Sequence, residues 1–460
     1  MPTLRELQQR MHEREISAGS LLDDSLHSIQ RDAQEDGAIY VSVDQPAARQ
    51  AADTCDALRI RDYVPSALAG LPVSVKDLFD VKGQVTSAGS RVLRDAPSAS
   101  RDSVAISRLR DAGAVFVGRT NMSEFAYSGL GVNPHYGTPH NPHDRTRVAG
   151  GSSSGAAVSV ARGHAAWGLG TDTGGSLRIP AAFCGLTAFK PTARRVPLDG
   201  VIPLAAAFDS VGAIAASVDC CVIADGILSA QQLNSAPRAL GKLRLGVDYR
   251  HVVDESDDDV RRAFDRAIGL LREAGVTIVP FDFPELDEAL AHAPQPGITA
   301  AQAWSWHRRH VEESAHLYDP RVLTRLEKGR SILAADYIDL IGVRERFVAA
   351  ARRRLSAFDA WLMPTVACVP PLMAPLESDD EAFFAANAAV LRNPSIVNLM
   401  DGCALTTPCH SKGELPVGLS IVGSSLADAK VLSIGRSVEA LLRENGGVAQ
   451  GFLIGSGKNL

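Results

Sequence analysis

No Cys-x-x-Cys pair occurs in this chain, and its seven cysteines (Cys55, Cys184, Cys220, Cys221, Cys368, Cys403 and Cys409) are odd in number. Neither a zinc site built on paired cysteines nor a disulfide framework fits that pattern, so the thiols read as small buried apolar groups. No basic block is present either. Net charge is −6 and the isoelectric point about 6.1, which argues against nucleic acid or an acidic membrane surface as a partner. No apolar run reaches the length of a membrane span. The start, Met1-Pro2-Thr3-Leu4-Arg5-Glu6-Leu7, is polar and mixed in charge, without the apolar stretch of a secretory leader. A soluble cytoplasmic protein is expected. There is no Gly-Lys-Ser/Thr phosphate loop, no dinucleotide fingerprint and no Ser-x-x-Lys pair. Lysine is scarce, arginine supplying most of the positive charge.

What is present is apolar content of 45% in 460 residues, ample for a sizeable core. Thr3 and Ser17 are placed to cap helices in the first ~40 residues. Leu71–Val75 reads as a short strand ending at Lys76, Ser103–Ala112 as an amphipathic helix stopped by Gly113, and Ala114–Val117 as a buried strand. Ala156–Ala161 reads as a helix and Ala165–Leu169 as a strand. Lys242–Val247, Asp257–Glu273 and Val276–Val279 repeat strand, helix, strand, with Gly275 as the stop. The acidic run Asp254–Asp259 reads as a solvated helix start, where negative charge is favourable. Such alternation predicts an α/β fold: a mixed, mainly parallel central sheet covered by helices on both faces. No linker separates independent units, so 1–460 is expected to form one domain. Its core would be about 60–215 and 355–445, with a charged helical outer layer at about 285–355.

Chemistry concentrates on two serines and a lysine. Ser152 lies in Gly150-Gly151-Ser152-Ser153-Ser154-Gly155, and Ser176 follows Asp172-Thr173-Gly174-Gly175. A serine hydroxyl attacks an amide only with a base in hydrogen-bond reach. Lysine can be that base when burial disfavours its charged form; Lys76, at the end of an apolar strand, fits, though a strand end can equally be exposed. The glycines beside Ser176 let successive N–H groups converge on one oxygen. Ser152 could pass a proton between the other two.

Residues 150–181 resemble the signature of the amidase signature family, the Ser–Ser–Lys amidohydrolases. The match runs from Gly150-Gly151-Ser152-Ser153-Ser154-Gly155 through Asp172-Thr173-Gly174-Gly175-Ser176-Leu177-Arg178-Ile179-Pro180-Ala181. Gly70–Asp77, Thr86–Ser90, Gly118–Ala126, Asn141-Pro142-His143 and Leu415–Gly423 are family-like too. The similarity is strong over ~60–215 and weaker over ~355–445. It implies Ser176 as nucleophile, Ser152 as a bridging serine after a cis peptide bond, and Lys76 as base. The N–H groups of Thr173, Gly174, Gly175 and Ser176 would line an oxyanion hole. Ala126, Tyr127, Phe125 and Gly151 would lie beside substrate. No metal or organic cofactor is implied; a small-molecule amide or carbamate is the expected partner, and a homodimer is common in the family.

The resemblance leaves the substrate open among amides, carbamates and esters. It also admits a glutaminase-like subunit of a tRNA-dependent amidotransferase, although no glutamine-specific carboxylate and arginine pair stands out in ~320–430. Some relatives that take a small carboxylated substrate carry an arginine three residues after the nucleophile; Ile179 stands there, which speaks against a malonamate-like substrate. Arg178 reads as a structural partner. Gly151–Gly155 also fits Gly-x-Ser-x-Gly centred on Ser153, with His316 or His410 available, but that reading leaves Lys76 and Ser176 unexplained. His135, His140 and His143 read as a packed or solvated loop, and His307 and His310 as exposed on a helix.

Overall fold

Short apolar segments between the helices become the strands of one sheet. In the computed structural model, which describes residues 2–35, 37–292 and 297–446, these are β1 (Tyr40–Ser42), β2 (Pro72–Lys76), β3 (Val115–Thr120), β4 (Trp167–Asp172), β5 (Thr187–Lys190) and β6 (Ser210–Ala215). They continue with β7 (Arg244–Val247), β8 (Thr277–Pro280), β9 (Ala360–Pro364), β10 (Cys403–Pro408) and β11 (Gly418–Gly423). Their order is β1-β3-β2-β4-β6-β5-β10-β11-β9-β7-β8. β2, β4, β5, β6, β9, β10 and β11 are buried throughout, as strands covered on both faces must be.

The sheet is mixed, but the expected predominance of parallel pairing is corrected. Parallel pairs occupy two wings, β3-β2-β4 and β8-β7-β9. Between them, β4, β6, β5, β10, β11 and β9 are antiparallel, as are β1 and β3. Antiparallel neighbours need no crossover helix, and β10 reaches β11 through the loop 409–417 alone. Strand and helix alternate in the middle too, with Arg178–Phe183 between β4 and β5, but there the strands joined through a helix are not neighbours: β6 lies between β4 and β5.

Local signals mark the helix starts well. Thr3 and Ser17 each close a capping box, on Leu4–His12 and Ala18–Ala33. The outer layer contains helices Pro284–His292, Gly297–Ser314, Pro320–Glu327 and Ala334–Leu355; residues 293–296 of that segment, and 447–460, lie outside the described residues. His307 corrects an expectation. It is fully buried, four and seven positions from the buried Ala303 and Ala300, on the inner stripe of its helix. Its ring packs against Phe125 at 4.4 Å and meets the Tyr318 hydroxyl at 2.9 Å. Burial lowers its pKa to about 3, so it is neutral. His310, expected beside it on the surface, is half-buried. No helix among the described residues is long and apolar enough to cross a membrane.

Candidate active site

The parallel pairing of β2 with β4 sets Lys76 beside Thr171 at the carboxyl ends of both strands. Lys76 is wholly buried. Its Nζ lies 2.8 Å from Ser152 Oγ and 2.8 Å from Thr171 Oγ1. Burial pulls its pKa down to about 7, although the negative charges of Asp172 and Asp209 act the other way. Ser152 follows a cis Gly151–Ser152 peptide bond in the loop before the helix Ser154–Ala161, every residue of which is buried.

Ser176 lies just after β4. Its carbonyl accepts the Ser153 N–H at 3.2 Å, joining the two glycine loops. Its hydroxyl has no protein partner among the described residues and is not hydrogen-bonded to Ser152. Of the four N–H groups expected in the oxyanion hole, that of Gly175 is engaged by Asp172 Oδ1 at 2.9 Å. Those of Thr173, Gly174 and Ser176 have no acceptor among the described residues. Gly175 sits at φ +130, and a Cβ there would come within 2.7 Å of Ile179 Cδ1 and 2.8 Å of Pro394. Only glycine fits that turn.

Asp172 organises the segment. It accepts from Arg178 Nε at 3.0 Å and Nη2 at 2.9 Å, and from Asn398 Nδ2 at 3.0 Å. Burial would raise its pKa, but Arg178 holds it at about 2. Arg178 is therefore a buried partner of Asp172, in line with its structural reading. Thr173 Oγ1 donates to Asp209 at 2.5 Å. Asp209 was not legible as a site residue, because it reaches the loop from the start of β6, 36 positions along the chain.

Beside Ser176 opens a cavity of about 610 Å³. Thr173, Gly174, Ser176, Ala126 and Tyr127 line it. Phe125 and Gly151, expected beside substrate, are not in its wall. Phe125 has φ +48 and turns its ring into the cluster of Trp306, His307 and Tyr318. The Gly151 N–H is bonded to the Gly129 carbonyl at 2.8 Å. The outer layer supplies Thr299, Arg325 and Lys328, and the helix Asp380–Leu399 supplies a wall from Phe384 to Leu399 that no local motif announced. Glu255, in the acidic run read as solvated, is exposed but pairs with Arg392 at the cavity rim.

The competing site does not assemble: Ser153 donates to the Thr171 carbonyl at 3.4 Å rather than to a histidine, and His410 meets Val417. His135, His140 and His143 face separate partners: Glu124, the Arg145 carbonyl and the Cys184 carbonyl. All seven cysteines are unpaired, and all but Cys368 are buried.

A mixed sheet carrying a buried lysine, two serines in glycine loops and an adjoining cavity defines an enzyme of the hydrolase type. The Amidase family model matches residues 20–432, and the chain belongs to this family of hydrolases acting on C–N bonds. A 2-amino-5-chloromuconic acid deaminase of Comamonas testosteroni is 35% identical over 96% of both chains. A glutamyl-tRNA(Gln) amidotransferase subunit of Symbiobacterium thermophilum is 30% identical, over 91% of this chain and 92% of its own. A solved amidase structure superposes with a TM-score of 0.86 at 30% identity, over 95% of this chain and 99% of that one.

Proposed function

We propose that this protein is a free-standing amidohydrolase that works through an acyl-enzyme on Ser176. The observation that carries the reading is a fully buried lysine, with its pKa near 7, in hydrogen-bond contact with Ser152. A neutral amine there can accept the Ser152 proton, and Ser152 can accept that of Ser176 as Ser176 Oγ bonds to the amide carbon. The N–H groups of Thr173, Gly174 and Ser176 receive the developing oxyanion. As the C–N bond breaks, Ser152 returns the proton to the departing nitrogen and the amine leaves. Water then adds to the ester by the same relay, giving the acid and restoring Ser176. Carbamates and esters present the same kind of carbonyl and belong to the same proposal.

The test is hydrolysis of amides, anilides, a carbamate, an ester and glutamine by the purified chain. Amide turnover should fall by at least roughly 10³-fold in Ser176→Ala. Full activity in that variant would reject Ser176 as nucleophile. Turnover confined to glutamine would favour the amidotransferase-subunit reading.

A further inference from the structure

Side chains along a strand alternate between its two faces, so Thr171 and Thr173 share one side of the end of β4 and Asp172 takes the other. The contacts follow that division. Lys76 meets Thr171 Oγ1 at 2.8 Å, Asp209 meets Thr173 Oγ1 at 2.5 Å, and Asp172 turns to Arg178. The antiparallel register of β4 and β6 sets this up. Thr171 lies opposite Val211 and Asp172 opposite Ser210, so the next step brings Asp209 across from Thr173. Lys76 and Asp209 are thereby held on one side, through threonines roughly 6.5 Å apart along the chain.

The charges on this side do not cancel pairwise. Two buried carboxylates act on Lys76: Asp172 and Asp209. Asp172 is neutralised by Arg178, in an ion pair closed to solvent on both sides, and Lys190 acts on it as well. Asp77, next to Lys76 in the chain, is paired with Arg119 at 2.6 Å. Asp209 differs. It is buried and accepts only from uncharged donors: the Thr173 hydroxyl, and the Leu204 and Ala205 N–H groups, each at 3.1 Å. No lysine or arginine among the described residues forms an ion pair with it. The Lys76 Nζ itself touches only the hydroxyls of Ser152 and Thr171. A carboxylate without a cation, facing an amine that gains a proton during the reaction, stabilises the ammonium as it forms.

We propose that Asp209 is a positioning residue of this active site: it stabilises the ammonium that Lys76 becomes in the relay, and it fixes Thr173 in the oxyanion loop. The inference rests on the hydrolase reading with Lys76 as base. Asp209 takes the Thr173 hydroxyl and not its N–H, so the N–H stays available to the oxyanion. Its bond to the Leu204 N–H ties the same loop to the cavity wall, which Leu204 and Phe208 line.

The test follows sulfonylation of Ser176 in the full chain by phenylmethanesulfonyl fluoride, read by intact mass between about pH 5 and 9. Ser176 Oγ bonds to sulfur, fluoride leaves, and the serine proton passes through Ser152 to Lys76, so no amide substrate is needed. The wild-type rate should show an acid limb at about 7. Asp209→Asn removes the charge and keeps the shape: its oxygen still accepts the backbone N–H groups, and its amide donates to Thr173 Oγ1. The limb should then move down by about one pH unit. A merely structural role would lower the rate at every pH and leave the limb in place. Thr173→Val removes the hydroxyl and keeps the charge, and it carries the test if Asp209→Asn does not fold. It should cut the plateau rate about tenfold with the limb unmoved. A wild-type limb in Asp209→Asn, or a wild-type plateau in Thr173→Val, overturns the inference and leaves the hydrolase reading intact. Absence of label on Ser176 of the wild type overturns the hydrolase reading, and the inference with it.

Discussion

Lys76 is the residue on which pH acts most directly. Its pKa is lowered to about 7 by burial, and only the neutral amine can accept a proton. Below that pH, kcat/KM should therefore fall about tenfold per unit; above it, the profile should level off. The same shift has a stability consequence of definite sign. Between about 7 and the ordinary lysine value of 10.5, the unfolded chain binds a proton that the folded one does not. Stability from this group therefore rises with pH across that window, and the full cost of burying the charge is felt below it. A pH–rate profile on any turned-over amide checks the first expectation. A flat profile between about pH 5.5 and 8 would remove Lys76 as base. Gly175 is a second test at this scale. Its positive φ and the contacts awaiting a Cβ mean that Gly175→Ala should cost on the order of 1–3 kcal/mol, read by urea denaturation.

At the level of elements, the loop after β4 is tied to the helix Asp380–Leu399 by a single buried hub. Arg178 bonds Asp172, the Pro394 carbonyl at 2.9 Å and Asn398 Oδ1 at 2.7 Å. Pro394 lies inside that helix, and its own carbonyl accepts from Arg178. Removing the guanidinium strands the Asp172 charge in the interior. Arg178→Met should thus destabilise by roughly 3–5 kcal/mol and loosen Gly175, whose N–H Asp172 holds. Circular dichroism melting of the variant would show it; a melting point equal to wild type would mean that the hub is dispensable.

For the whole molecule, the central strands come from distant parts of the chain. β5, from residues 187–190, pairs with β10, from residues 403–408. A chain ended at residue 355 would lose β9, β10 and β11 and bare β5 along its length. Such a fragment should aggregate rather than fold, since an uncovered apolar strand invites pairing with other copies. Light scattering of the truncated protein tests this, and a soluble folded fragment would show two separable units instead.

The sequence alone determined the catalytic triplet as candidates and the family they resemble, because glycine loops, a buried-strand lysine and the run from Gly150 to Ala181 are local and contiguous. It likewise determined the capped helices at Thr3 and Ser17, whose signals lie within one turn. The tertiary structure alone decided which side chains face the cavity. Phe125 and Tyr127 are two residues apart, yet a left-handed turn sends one into the core and leaves the other on the wall. Arg325 and Asn387 match no local pattern; two separate helices bring them into the lining of one cavity. Strand direction in the middle of the sheet was hidden for the same reason: pairing is a contact between segments far apart in the chain, and apolar runs carry no mark of which way their partner points.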